Sequence, residues 1–225
     1  MKYPSRSITS EDRRKVNEAV AAAESRTSAE VVAAIAGSSG GYDRSEDVVG
    51  LWAAILLLAA VWAVWPIEPV EHGSWDDPVH GRQLAAFAAA VVVGFVAGAI
   101  VGAKCWTLRR LFTPKIQMQE EVYSRAKQTF FDQRVHRTAG SSGLLIYVSL
   151  FERRAAIIAD QSVLEKLGQP AIDELCRQLT AGLSRQSPVD AICLAARAAG
   201  DQLAAVLPRA ADDVNELDDA LIVID

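Results

Sequence analysis

Two stretches decide how this chain is read: VVGLWAAILLLAAVWAVWPI at 48–67 and LAAFAAAVVVGFVAGAIVGA at 84–103. Each is twenty residues without a charge. At about 1.5 Å of rise per residue, such a run makes a helix roughly 30 Å long, the thickness of a bilayer's hydrocarbon core. With the connection 68–83 between them, they read as a transmembrane hairpin over 48–103: first span 48–67, outer loop 68–83, second span 84–103. The alternative is a pair of buried helices, but the remaining chain is too small to cover both runs. Trp52, Trp62 and Trp65 stand toward the ends of the first span, where indole rings favour the headgroup zone.

Charge around the hairpin sets its orientation. Lys2, Arg6, Arg13, Arg14, Lys15, Arg26 and Arg44 precede it, and Lys104, Arg109, Arg110 and Lys115 follow it. The loop carries Glu68, Glu71, Asp76 and Asp77 against one fixed cation, Arg82. Positive flanks mark the cytoplasmic side, so both termini are expected in the cytoplasm and the loop outside. The first apolar run starts too late for a cleavable signal, and Arg13-Arg14 lacks the apolar stretch of a twin-arginine signal, so a permanent attachment is expected. In the second span Gly94, Gly98 and Gly102 recur every four residues and stack on one face, where another helix can approach closely. The expected neighbour is the first span, with a homo-oligomer through a second protomer as an alternative. Residues 104–114 place Lys104, Arg109 and Arg110 among Trp106, Leu108, Leu111 and Phe112, a basic juxtamembrane segment able to lie on anionic headgroups.

Outside the hairpin, 1–47 and 115–225 read as two parts of one soluble domain. A net charge of −5 and a pI near 5.3 argue against nucleic acid as a partner, because phosphate neutralisation needs a basic face. The three cysteines (Cys105, Cys176, Cys193) are odd in number and scattered, which fits reduced thiols rather than a disulfide framework. Cys176 and Cys193 fall in apolar helical patterns and read as packing residues.

Residues 9–25 read as an amphipathic helix capped by Thr9, with Asp12 completing an approximate capping box and Val16, Ala19, Val20 and Ala23 inward. Glu30 to Ala36 is too continuously apolar for a half-exposed strand and fits one buried on both faces. A helix over 115–135 is expected to turn Ile116, Val122, Ala126 and Phe130 inward. Leu144–Leu150 and Ala155–Asp160 read as strands joined by the short turn Glu152-Arg153-Arg154, hence an antiparallel hairpin. Pro170 begins a helix with Ile172, Leu175, Leu179 and Leu183 inward, and Ser187-Pro188 begins another. The order describes an α/β sandwich, a small mixed sheet flanked by helices, interrupted by a two-helix transmembrane hairpin.

These residues resemble a known family. Thr27-Ser28-Ala29-Glu30-Val31-Val32 is similar to the opening strand "T-S-G-E-I-V" of the TPM domain. Gly143 to Arg154, followed by Ile157-Ile158-Ala159-Asp160, resembles its "G-V-L-I-x-V-S-x-x-E-R-x" hairpin, and Asn215-Glu216-Leu217-Asp218-Asp219 its "N-E-L-P-D" ending. Ala29 stands in place of the usual glycine and Asp218 in place of the usual proline. The resemblance covers the soluble chain, not the insert. It implies a TPM-like α/β sandwich, and one of the roles described for members: weak acid phosphatase, divalent-cation binder, or assembly and repair factor for membrane complexes. Bacterial relatives with membrane spans suit an inner-membrane, multi-pass location.

Glu152, Arg153, Arg154 and Asp160 form the candidate catalytic set. A carboxylate and two guanidinium groups on one turn could hold a phosphate, with Asp160 near for Ca²⁺ or Mg²⁺. The competing reading is a solvated β-turn with a structural Glu–Arg pair. Asp212, Asp213 and Glu216, with Asp218 and Asp219, are weak metal candidates without the D-x-D-x-D-G signature. His72, His80 and His136 lack ligand-spaced neighbours, and no P-loop or H-E-x-x-H supplies a phosphate cradle or zinc site. The expected function is a binding, assembly or quality-control module that meets the lipid bilayer and another membrane protein. A metal-assisted phosphatase and a glycine-driven membrane oligomer are the alternatives.

Overall fold

The computed structural model describes residues 4–65, 78–138, 140–210, 217 and 220–225. In chain order these form α1 (Pro4–Ser7), α2 (Ser10–Glu24), β1 (Val31–Ala36), α3 (Asp43–Val64), α4 (Pro78–Lys104), α5 (Trp106–Leu111) and α6 (Lys115–Asp132). A 3-10 turn (Val135–Arg137) follows, then β2 (Leu144–Ser149), β3 (Arg154–Ala159), α7 (Gln161–Leu167), α8 (Gln169–Gly182), α9 (Pro188–Val206) and β4 (Ile222–Ile224). The chain divides into two compact units: Gly41–Lys115, and the flanking residues up to Gly40 and from Ile116 onward.

The flanking unit is an α/β fold around a mixed sheet ordered β3-β2-β1-β4. β1 runs parallel to both β2 and β4, and β2 antiparallel to β3. Side-chain alternation along β1 and β2 feeds two cores. Val31, Ala33 and Ile35 join Leu144, Ile146 and Val148 under α2, α8 and α9. Val32, Ala34 and Ala36 join Leu145 and Tyr147 under Val122, Ala126 and Phe130 of α6. Helices on both faces explain why these strands read as unbroken apolar runs. Thr27 and Ser28 fix the entry to β1, because the Thr27 hydroxyl (2.6 Å) and the Ser28 N–H (3.1 Å) both donate to the Leu207 carbonyl after α9.

The helix starts follow local chemistry. At α2 the Thr9 hydroxyl accepts from the Asp12 N–H (3.1 Å) while the Asp12 carboxylate accepts from the Thr9 N–H (3.0 Å), a complete capping box. At α9 the Ser187 hydroxyl accepts from the Asp190 N–H (3.1 Å), with Pro188 in the first turn, where a missing N–H costs nothing.

The inserted unit is built on two helices long and apolar enough to cross a membrane, over Glu46–Val64 and Gly81–Lys104. Their large side chains point outward: Leu56 is 67% exposed, Trp62 58% and Val92 62%. Small residues fill the seam between them. A Cβ on Gly94 would lie 2.7 Å from the Ala54 Cα, and one on Gly98 2.5 Å from the Ala53 Cβ. Gly102 closes against Glu46 and Val49. The glycine face is therefore taken up by the first span of the same chain, and an oligomer would have to use another surface.

The structure differs from the sequence reading at several points. α3 begins at Asp43, before the uncharged run at 48, and α4 begins at Pro78, so 78–83 are helix rather than loop. Hydropathy marks the apolar part of a helix, not where its backbone hydrogen bonding starts. The rest of the expected loop, with Glu68, Glu71, His72, Asp76 and Asp77, lies outside the described residues. The segment 104–114 belongs to the inserted unit, where Arg109 faces inward: its Nε lies 3.7 Å from a Glu46 carboxylate oxygen and its guanidinium sits over the Tyr42 ring. Ile116 is exposed and Met118 takes its place in the core, because 118, 122, 126 and 130 follow one i, i+4 face and 116 does not. α7 and β4 are additions that the sequence reading lacks.

Candidate functional site

The expected catalytic set does not converge. The turn between β2 and β3 buries Glu152, only 2% exposed, beneath the loop that follows β1. One carboxylate oxygen accepts from the Ser39 N–H (2.9 Å) and, at 3.5 Å, from the Ser38 hydroxyl. The other accepts from the Ser149 hydroxyl. The Ser39 hydroxyl in turn meets the Tyr147 phenol at 3.0 Å. Glu152 thus joins two loops at the same end of the sheet, which corrects both the phosphate-holding reading and the solvated-turn reading. A buried carboxylate is tolerable only with such donors around it. Burial, opposed by the Ser39 hydrogen bond and reinforced by the Glu152 charge, pushes the Tyr147 phenol up to about 12.

Arg153 is exposed in the left-handed region (φ 49°), and Arg154 opens β3, its guanidinium 3.5 Å from the Gln119 side-chain oxygen. Asp160 sits beyond the opposite end of β3. Six residue steps separate it from Arg154, roughly 20 Å at about 3.3 Å per residue. Asp160 caps α7, one carboxylate oxygen accepting from the Gln161 N–H (2.8 Å), while the second is buried without a hydrogen-bond partner. One carboxylate falls short of the several oxygens that Ca²⁺ or Mg²⁺ requires. Among the described residues no group of three or more His, Cys, Asp or Glu side chains is placed to hold a metal. Asp212, Asp213, Glu216, Asp218 and Asp219 lie outside the described residues. A phosphatase using Glu152, Arg153, Arg154 and Asp160 together has lost its geometry.

The separated residues do share a strand, and that strand borders a furrow. A cavity of about 640 Å³ lies between α6, α8 and the β3 residues Arg154 to Ile157. A second, of about 550 Å³, lies between α6, α7 and the residues Ile158 to Asp160. Together they follow β3 along its whole length. Val122 and Tyr123 wall the first, Phe130, Phe131 and His136 the second. The His136 ring packs on Phe131 at 5.0 Å between centroids, and its Nδ1 is buried without a hydrogen-bond partner. On the α8 side the Cys176 thiol donates to the Ala155 carbonyl at 3.4 Å, and burial pushes that thiol up. The sequence reading treats Cys176 as packing and His136 as uninvolved, and Ser39 and Tyr147 have no place in it. The Gly/Ser-rich 37–41 stretch was the only signal for the loop that Glu152 holds.

The molecule is thus an α/β protein: a mixed four-stranded sheet with helices on both faces, carrying two long apolar helices as an insert. It is similar in fold to the BA42 protein of the psychrophilic bacterium Bizionia argentinensis, whose structure was solved by NMR. The two align at a TM-score of 0.55 and 14% identity, over 96% of this chain and 94% of that one. No family model and no curated protein matches the sequence.

Proposed function

We propose that the protein is an integral inner-membrane protein of bacteria that presents a TPM-like domain to the cytoplasm. The domain serves there as a binding, assembly or quality-control module for membrane complexes. The observation that carries this reading is the outward apolar surface of α3 and α4, where Leu51, Trp52, Leu56, Trp62 and Val92 all stand more than half exposed. Contiguous apolar surface of this kind is costly in water and stable in lipid. Orientation follows from the cations Arg44, Lys104, Arg109, Arg110 and Lys115 on the flanks of the hairpin. A binding role is favoured over catalysis by the separation of Asp160 from Glu152, Arg153 and Arg154, which lie at opposite ends of β3. The partner is another membrane protein, held near by the shared bilayer. Photo-crosslinking in native membranes from positions on α6 should yield discrete adducts with membrane proteins; adducts with this chain alone would defeat the proposal.

A further inference from the structure

We infer that the furrow between α6 and the free edge of β3 is a docking groove for an extended peptide segment, which joins the sheet as an added strand. The inference rests on the reading of the domain as a binding module and names what that module binds. β3 ends the sheet and pairs only with β2 among the described residues. The Asp160 N–H donates to the Gly143 carbonyl (2.8 Å), and the register pairs Ile158 with Leu145 and Ala156 with Tyr147. Antiparallel strands alternate, so Asp160, Ile158, Ala156 and Arg154 turn their backbone groups to β2. Ala155, Ile157 and Ala159 turn theirs outward. The Cys176 sulfur of α8 covers part of this edge, donating to the Ala155 carbonyl at 3.4 Å and accepting from the Ile157 N–H. As a poor donor and acceptor it is a weak cover that an incoming strand displaces.

Sheet edges are ordinarily protected by proline, bulges, inward charges or a covering helix, and α8 flanks this one at Cys176 while leaving the cavity beside it. β3 reads Arg-Ala-Ala-Ile-Ile-Ala, with no proline, bulge or inward charge inside it. Its alanines leave open the space that the two cavities occupy. The ends of the groove differ in charge. Arg154 lines one end, with Arg177 already engaged by Glu174. Asp160 and Glu165 line the other, where the second Asp160 oxygen is buried and unpartnered. The remaining charges on the walls have neighbours: Asp173 takes the Gln169 amide (2.7 Å) and Lys127 lies over the Tyr123 ring (4.5 Å). The occupant that complements this is an extended segment with an acidic side chain opposite Arg154 and a basic one opposite Asp160. Residues 154 and 160 are six apart on one face of the strand, so the two partner side chains are also six apart on one face. Main-chain hydrogen bonds to Ala155, Ile157 and Ala159 supply affinity, and the end charges supply direction.

The test uses the full chain in lipid nanodiscs and a displayed library of nine-residue segments. Selected segments should alternate β-branched or aromatic residues, lack internal proline, and place an acidic residue six positions from a basic one. A synthetic copy of the best segment should slow amide exchange at Ala155, Ile157 and Ala159 at least tenfold. The amides of Ala156 and Ile158, already bonded to β2, should not change. N-methylation of alternate amides in the segment should weaken binding at least tenfold. Arg154→Glu should turn the preference at that end from acidic to basic, and Asp160→Asn, which still caps α7, should relax it at the other. An empty selection, helical or proline-rich winners, unchanged exchange at the outward amides, or an Arg154→Glu preference identical to wild type would overturn the inference. If membrane crosslinks persist in Arg154→Glu, this groove is wrong while the binding role stands; if they are absent from the wild type, the binding role itself falls.

Discussion

Glu152 is a buried carboxylate whose value to the domain lies in the donors around it. Glu152→Ala would leave the Ser39 N–H and the Ser149 hydroxyl in a closed space without an acceptor. Such a loss costs about 1–3 kcal/mol, so a fall of several degrees in melting temperature is expected, with Glu152→Gln recovering part of it. Nearby, Tyr147 links residue chemistry to pH. Its folded-state pKa is raised from 10.0 to about 12, so the neutral phenol is favoured in the fold. Its contribution to stability is therefore complete below pH 10 and is lost as pH rises toward 12. Chemical denaturation between pH 9 and 12 should show this decline, and Tyr147→Phe should flatten it. Asp12 works in the opposite sense: the Thr9 backbone and hydroxyl hold its carboxyl below the ordinary value. That contribution is present above about pH 4 and is lost as acid protonates the group.

Among the elements, the α3–α4 hairpin depends most visibly on single atoms. Gly98→Leu would press a side chain into Ala53, Gly50 and Val49. Overpacking of this kind costs about 1–3 kcal/mol, and in detergent it should lower the hairpin's thermal stability while leaving the oligomeric state unchanged. Much at this scale was legible beforehand. The capping box at Thr9, the Ser187-Pro188 start and the doubly buried β1 and β2 follow from residue type and period. β4 was not, because Ile222–Ile224 is three residues long and is a strand only through its pairing with β1. The candidate site misled for a related reason. Glu152, Arg154 and Asp160 are neighbours in sequence, but an extended strand turns a small separation into a large distance. Ile116 failed more simply, since apolar character alone does not place a residue on the buried face.

At the scale of the whole molecule, one sheet with two covered faces is interrupted after its first strand by an apolar insert, and the chain then returns to complete the sheet with β2 and β3. Parallel pairing of β1 with β2 therefore requires residues on both sides of the insert to meet in one compartment. If α3 and α4 cross the bilayer, they must do so as a pair. Cys105, Cys176 and Cys193 all follow the second apolar run and serve as built-in reporters. Labelling of intact spheroplasts with a membrane-impermeant maleimide tests the arrangement most directly, comparing the native chain with His72→Cys. The account predicts no labelling of the native chain until the membrane is permeabilised under denaturing conditions, and prompt labelling of His72→Cys from outside. Labelling of the native cysteines from outside, or protection of the cysteine at 72 until lysis, would contradict it.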